Sequence, residues 1–256
     1  MSDKKNQNGV QDNSRRVFLK NSGLTVGGLI VGGALGGLIG KKPGSSKPAS
    51  TEPGGHQMSN SSNPSRALMY FTNQEDFSTI EAAAEQIFPK TDVGPGAKDL
   101  DVAYYIDHQL AGNWGLNTKE YMSGPFSLAD SVPELGYQTH LKRHEIFDLG
   151  IQALNSTAQK KHKKKFHELE GDQQVAILKD FEADKVKLNG ATSASNFFGL
   201  LRKATIEGVY ADPMYGGNKD MAGWKMKNFP GHQMSYKDII EKDSFVKMDP
   251  KSLSSM

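Results

Sequence analysis

The chain has 256 residues, 31 lysines and arginines against 29 acidic residues, and a formal net charge of +2. That balance gives no argument for nucleic acid, whose recognition needs a clustered excess of positive charge. The absence of cysteine excludes disulfides, thiolate zinc sites, cysteine-bound iron–sulfur clusters and covalent haem from this sequence.

In chain order, a polar leader is followed by Ser14-Arg15-Arg16-Val17-Phe18-Leu19-Lys20. This is a full match to the twin-arginine export signal: serine, paired arginines, a free position, then Phe18, Leu19 and Lys20. Residues 23–40 carry no charge and contain eight glycines among leucine, valine, isoleucine and alanine. Such a run is apolar enough to enter the export route. It is a weak membrane anchor, because each glycine costs helix about 1 kcal/mol relative to alanine. The other reading, the start of an ordinary membrane helix, would need roughly 17–25 apolar residues, and this run sits at the lower edge. The twin-arginine route moves proteins that are already folded. Folding before export is needed when a cofactor is inserted in the cytoplasm, or when a cofactor-bearing partner is carried along. The sequence therefore points to work outside the cytoplasm, in the periplasm or on the outer face of the cytoplasmic membrane, in a redox setting. No small-x-small cleavage site precedes Lys41, and Lys47-Pro48-Ala49 is a poor one. An uncleaved signal would leave an N-terminal anchor, whereas a lipid anchor at the signal would need a cysteine.

Composition divides the chain into a signal region (1–40), a disordered linker (41–66), a helical domain (67–231) and a polar C-terminal tail (232–256). The linker is rich in Lys, Pro, Gly, Ser and Asn and cannot bury enough apolar surface to offset chain entropy. The tail reads as loosely held. The domain reads as all-α, a single helical unit with long loops. Thr72 and Glu75 have capping-box spacing. Phe77, Ile80, Ala84, Ile87 and Phe88 share one helical face, and Pro89 stops the run. A second helix is expected over 99–111, ending at Gly112. A third is expected over 137–155, carrying Tyr137, Leu141, Phe147, Ile151 and Leu154. Asp172 is the expected cap of a fourth, with Val175, Leu178 and Phe181, and 195–210 forms a fifth with Phe197, Phe198, Leu201 and Ile206. No stretch alternates with period two, so strands are not required.

Conventional catalytic patterns are missing. There is no dinucleotide loop after a strand, no phosphate loop and no nucleophile elbow; Ser123-Gly124-Pro125 has no base at a recognisable spacing. No catalytic, cofactor-binding or metal-binding residue is therefore assigned. His140 and His144, at i and i+4 on the expected third helix, could face one metal. The zinc-protease pattern would put glutamate at position 141, where leucine stands, and solvent-facing histidines are the plainer reading. His108, His162 and His167 are scattered. The basic run at 160–165 reads as a solvated helix end, with contact to an anionic membrane or acidic partner as the other reading.

The most specific signal follows the fifth helix: DPMYGGN at 212–218, then Gly223-Trp224, then Phe229-Pro230-Gly231. Asp212-Pro213 sets a turn, Gly216-Gly217 permits positive φ or close backbone approach, and Asn218 can bond nearby backbone. Tyr215 and Trp224 are the residue types enriched in protein contacts. Asp212, Pro213, Tyr215, Gly216, Gly217, Asn218, Gly223 and Trp224 are thus the candidate partner interface. The same residues also read as a loop that packs its own aromatics under the domain.

FFGLLRKATIEGVY (197–210), DPMYGGN, Gly-Trp and Phe-Pro-Gly, in that order, resemble the small γ-type subunit 3 family of gluconate 2-dehydrogenase and related membrane-associated sugar dehydrogenases. Residues 81–107 (EAAAEQIFPKTDVGPGAKDLDVAYYID) also look like that family, and the twin-arginine signal fits it. The likeness covers 14–40 and most of 75–231. It implies a large flavoprotein partner of the glucose–methanol–choline type that holds FAD and oxidises the sugar or sugar acid. It further implies a multihaem cytochrome c subunit in many such complexes, and a large subunit without its own signal. This chain would then be a non-catalytic small subunit that escorts the large one through the twin-arginine translocase. The rival expectation is a self-contained exported helical binding protein, or a metalloenzyme using His140 and His144.

Overall fold

The structure is a computed structural model that describes residues 66–127, 138–188 and 190–255. The expected twin-arginine signal, the apolar run after it and nearly all of the expected linker lie outside the described residues, as does Tyr137. Among the described residues there are six α-helices and no strand. They are α1 (Gln74–Ile87), α2 (Val102–Ala111), α3 (Arg143–His162), α4 (Gly171–Glu182), α5 (Ala194–Tyr210) and α6 (Ala222–Lys227). The all-α expectation holds. No helix among the described residues is long and apolar enough to cross a membrane.

Helix starts differ from expectation in instructive ways. The cap of α1 is Asn73, not Thr72: its Oδ1 accepts from the Glu75 N–H at 2.9 Å. The Glu75 carboxylate instead binds Lys165 Nζ at 2.7 Å. Helix α2 starts at Val102, because residues 96–101 turn first, with the Leu100 N–H on the Gly96 carbonyl and Asp101 at φ 56°. Helix α3 starts at Arg143 rather than 137. The Glu145 carboxylate reaches back to the Lys142 N–H at 2.7 Å, and Asn117 Oδ1 takes the Arg143 N–H at 2.9 Å. The helix runs on through Lys160, Lys161 and His162, where cations suit the carbonyl end of the dipole, and breaks at Lys163 with φ 61°. The N-cap of α4 is Glu170; Asp172 sits inside the first turn. Ser193 caps α5, its Oγ accepting from the Asn196 N–H at 3.1 Å.

Helix α5 is the axle, packing against α1, α2, α3 and α4 and, near its C-terminus, α6. Phe197 on α5 meets Phe147 of α3 and Phe181 of α4 edge to face, with ring centroids 5.4 and 5.9 Å apart, and Trp114 extends the stack at 5.9 Å from Phe147. Phe147, Phe181 and Phe197 are fully buried, with Ile80, Ile106, Leu154 and Leu201 around them. Buried polar groups are satisfied by segments far apart in sequence. Asp107, fully buried, accepts the Met69, Tyr70 and Phe71 N–H groups at 2.6, 3.0 and 2.8 Å. This carboxylate fastens the start of the domain to α2. Gln174 donates to the Phe166 and Leu169 carbonyls and accepts from Gln86, tying α4 to α1.

Candidate functional site: the loop after α5 and its surface

Beyond Tyr210 the chain must turn sharply while staying against α5. Asp212 begins the turn by accepting the Met214 N–H at 3.1 Å, and Pro213 opens a short 3-10 turn closed by Gly216 at φ 106°, where a side chain would be strained. Gly217 lies on the Gly208 carbonyl and Gly223 on the Val209 carbonyl, with no space for a Cβ at either. Asn218, fully buried at φ 47°, clamps the loop. Its Nδ2 donates to the Ala211 carbonyl at 2.7 Å and its Oδ1 accepts the Gly223 N–H at 2.8 Å. The Lys219 N–H reaches the Leu100 carbonyl at 3.2 Å. Asp101 stands between Lys219 Nζ, at 3.9 Å, and Arg66, at 2.8 Å, so the loop is joined to the start of the domain.

Trp224, one of the candidate interface residues, is packed into the domain. Its indole is only 6% exposed, its Nε1 donates to the Tyr210 carbonyl at 2.7 Å, and its ring packs on Phe229 at 5.4 Å. The polar edge that could have served a partner is spent on the end of α5. Gly216, Gly217, Asn218 and Gly223 are also buried, and Asp212 and Pro213 half-buried. Of the candidate interface residues, Tyr215 presents a large side chain, 47% exposed, together with Met214 at 48% and Phe229 at 49%, neither of which the sequence pattern singled out for the interface. The motif therefore has a buried half that holds the backbone and an exposed apolar half that it displays.

The C-terminal stretch returns to this loop rather than trailing away. The His232 N–H donates to the Lys251 carbonyl at 2.7 Å and the Lys251 N–H to the Pro230 carbonyl at 3.1 Å. Asp212 takes the Ser252 hydroxyl at 2.6 Å and the Leu253 N–H at 2.8 Å. Partial burial pushes the Asp212 carboxyl up. Hydrogen bonds from Ser252, Leu253 and Met214, with nearby His232, outweigh it and hold the pKa below the ordinary carboxylate value. The loosely held tail expected from composition is thus pinned at its far end.

Elsewhere, one buried side-chain nitrogen among the described residues, His167 Nδ1, has no hydrogen-bond partner. His140 lies before the start of α3, so the i, i+4 geometry invoked for His140 and His144 does not exist. Among the described residues no three His, Cys, Asp or Glu side chains could share a metal. A cleft of about 670 Å³ lies between the 117–126 stretch and α3, where Arg143 pairs with Glu120 and stacks on Trp114 at 5.1 Å. A second, of about 630 Å³, is edged by Glu75, Asp76, Asp148 and Lys165. Beside it, burial and then the Glu75 and Asp148 charges raise the Asp76 carboxyl above its ordinary value. Burial and Asp148 push the Tyr70 phenol well up, so its proton stays and is donated to Asp148 at 2.6 Å.

Fold and loop together define a helical scaffold that displays apolar side chains from a rigid loop. Residues 74–231 match the family described as Gluconate 2-dehydrogenase subunit 3. The chain belongs to the gluconate 2-dehydrogenase subunit 3 family, a family of subunits, which implies a larger catalytic partner. No curated protein and no solved structure matches the chain.

Proposed function

We propose that this chain is the non-catalytic small subunit and export escort of an extracytoplasmic FAD-dependent dehydrogenase. The large subunit would be a flavoprotein of the glucose–methanol–choline type acting on gluconate, a sugar or a polyol, with a cytochrome c subunit as its electron outlet. The observation that carries this reading is the family match over 74–231, on a chain whose residues 14–20 spell the twin-arginine heptapeptide. A folded-protein export signal on a subunit-family chain makes sense when the cargo is the cofactor-bearing partner. FAD belongs on that partner. A dinucleotide fold places its glycine-rich loop between a strand and a helix, and the described residues form no strand. The complex then works in the periplasm or at the outer face of the cytoplasmic membrane. Replacing Arg15 and Arg16 by lysine should leave both this chain and its flavoprotein in the cytoplasmic fraction. Unchanged export of the double variant in cell fractionation would sink the escort role.

A further inference from the structure

The domain begins with a segment that polar contacts hold more than burial does. Arg66, Ala67, Leu68 and Met69 are exposed, Tyr70 is half-buried, and Phe71 alone of the six enters the core. The attachments run mainly to one helix. Arg66 reaches the Asp101 carboxylate, just before α2, at 2.8 Å and lies over the Tyr104 ring at 5.5 Å. The Met69, Tyr70 and Phe71 N–H groups converge on the Asp107 carboxylate. The Ala67 carbonyl sits 2.8 Å from His108 Nε2; a carbonyl can only accept, so Nε2 carries the proton. The Tyr70 hydroxyl adds a bond to Asp148 on α3. A segment that covers little apolar surface, yet is fastened by bonds at several points, opens locally and below the free energy of global unfolding.

The loop after α5 rests on the same helix. The Lys219 N–H donates to the Leu100 carbonyl at 3.2 Å, and Lys219 Nζ stands 3.9 Å from Asp101. Gly216 lies so close to α2 that a Cβ there would come within 3.0 Å of His108 Nδ1 and 3.2 Å of the Tyr104 and Tyr105 backbone. Asp101 and His108 therefore each meet both segments. One oxygen of the Asp101 carboxylate faces Arg66 and the other Lys219; one ring nitrogen of His108 faces Ala67 and the other Gly216. A side chain oriented from two sides loses its set position when either side withdraws. We infer that residues 66–71 form a strap that opens and closes as a unit, and that Asp101 and His108 couple its closure to the ordering of the 212–219 loop. Such coupling is reciprocal. Whatever steadies the displayed Met214 and Tyr215 also closes the strap, and release of the strap loosens the display. Arg66 is also where the chain runs back toward its N-terminus, so the state of the loop reaches that junction.

The test is amide hydrogen exchange of the full chain, read by mass spectrometry on peptides covering 67–71 and 217–223. Asn218→Ala removes the clamp inside the loop and should speed exchange in 67–71 at least about fivefold, the lower end of typical coupling factors. Asp107→Asn weakens the strap's own anchor and should likewise speed exchange in 217–223. With the bridges cut, in an Asp101→Asn, His108→Leu background, adding Asn218→Ala should leave exchange in 67–71 unchanged. Should Asn218→Ala fail to fold, Lys219→Met gives the same comparison. Faster exchange confined to the altered segment overturns the coupling. Faster exchange spread equally over α4 and the core amides of α5 is general destabilisation and overturns it as well. Transmission that survives the loss of Asp101 and His108 overturns their role as the bridge.

Discussion

Asn218→Ala is the sharpest probe of how the displayed surface is held. The substitution removes the bond to the Ala211 carbonyl at 2.7 Å and the bond from the Gly223 N–H at 2.8 Å. Gly223 is buried and Ala211 half-buried, so water cannot fully replace the lost partners. Each orphaned group costs about 1–3 kcal/mol, and alanine held in the left-handed region adds about 1 kcal/mol. The expected loss is about 4 kcal/mol, a large part of the roughly 5–15 kcal/mol that a domain has. At about 2–4 °C per kcal/mol for a chain of this size, the melting midpoint should fall by about 10 °C. Asn218→Gly loses the same two bonds but relieves the backbone at φ 47°, and should regain about 1 kcal/mol of the loss. Thermal unfolding of the purified chain followed by circular dichroism reads both variants. A midpoint for Asn218→Ala within about 2 °C of wild type, well inside the shift one such bond should give, would refute the clamp.

Trp224→Ala should cost about 3–5 kcal/mol in the same melt, since it empties a buried site and strips the Tyr210 carbonyl of its donor; a stable Trp224→Ala would place the indole outside the fold. Tyr215→Ala should leave the melting temperature alone and lower flavoprotein capture, and undiminished capture would remove Tyr215 from the contact. Asp212 has a folded pKa below its unfolded value near 4, so its contribution to stability is present above that value. It is lost as pH falls from about 4 through the depressed folded value. Melting temperature should therefore drop over that acid window more steeply in wild type than in Asp212→Asn, which should already be less stable at pH 7. Parallel curves for the two proteins would rule out the Asp212 pin.

The helices were legible because their evidence is local. Phe77, Ile80 and Ala84, or Phe197 and Leu201, recur at the period of one helical face, and a solvent–core boundary leaves that period in any sequence. Helix α6 escaped because six residues are too few for a period to show. The caps were misread by a residue or two where several capping residues compete. Thr72 and Asn73 both could serve, and only the path of the preceding backbone chooses Asn73. His140 and His144 looked paired only while one helix was assumed to span both; the contact of Asn117 with the Arg143 N–H moves the start of α3 past His140.

By itself the sequence determined the fold class, the approximate course of five helices and the turn chemistry of 212–218. Each of these depends on neighbours a few residues apart. Only the tertiary structure decided which groups of that loop face inward. Tryptophan is equally suited to a core and to an interface, and Trp224 went inward because the Tyr210 carbonyl at the end of α5 lacked a donor. Only the structure brought Ser252 and Leu253 to Asp212, across 40 and 41 positions of chain. Pairings at that separation leave no period or spacing in the sequence, because what selects them is the free energy of satisfying a half-buried carboxylate once the helices have packed.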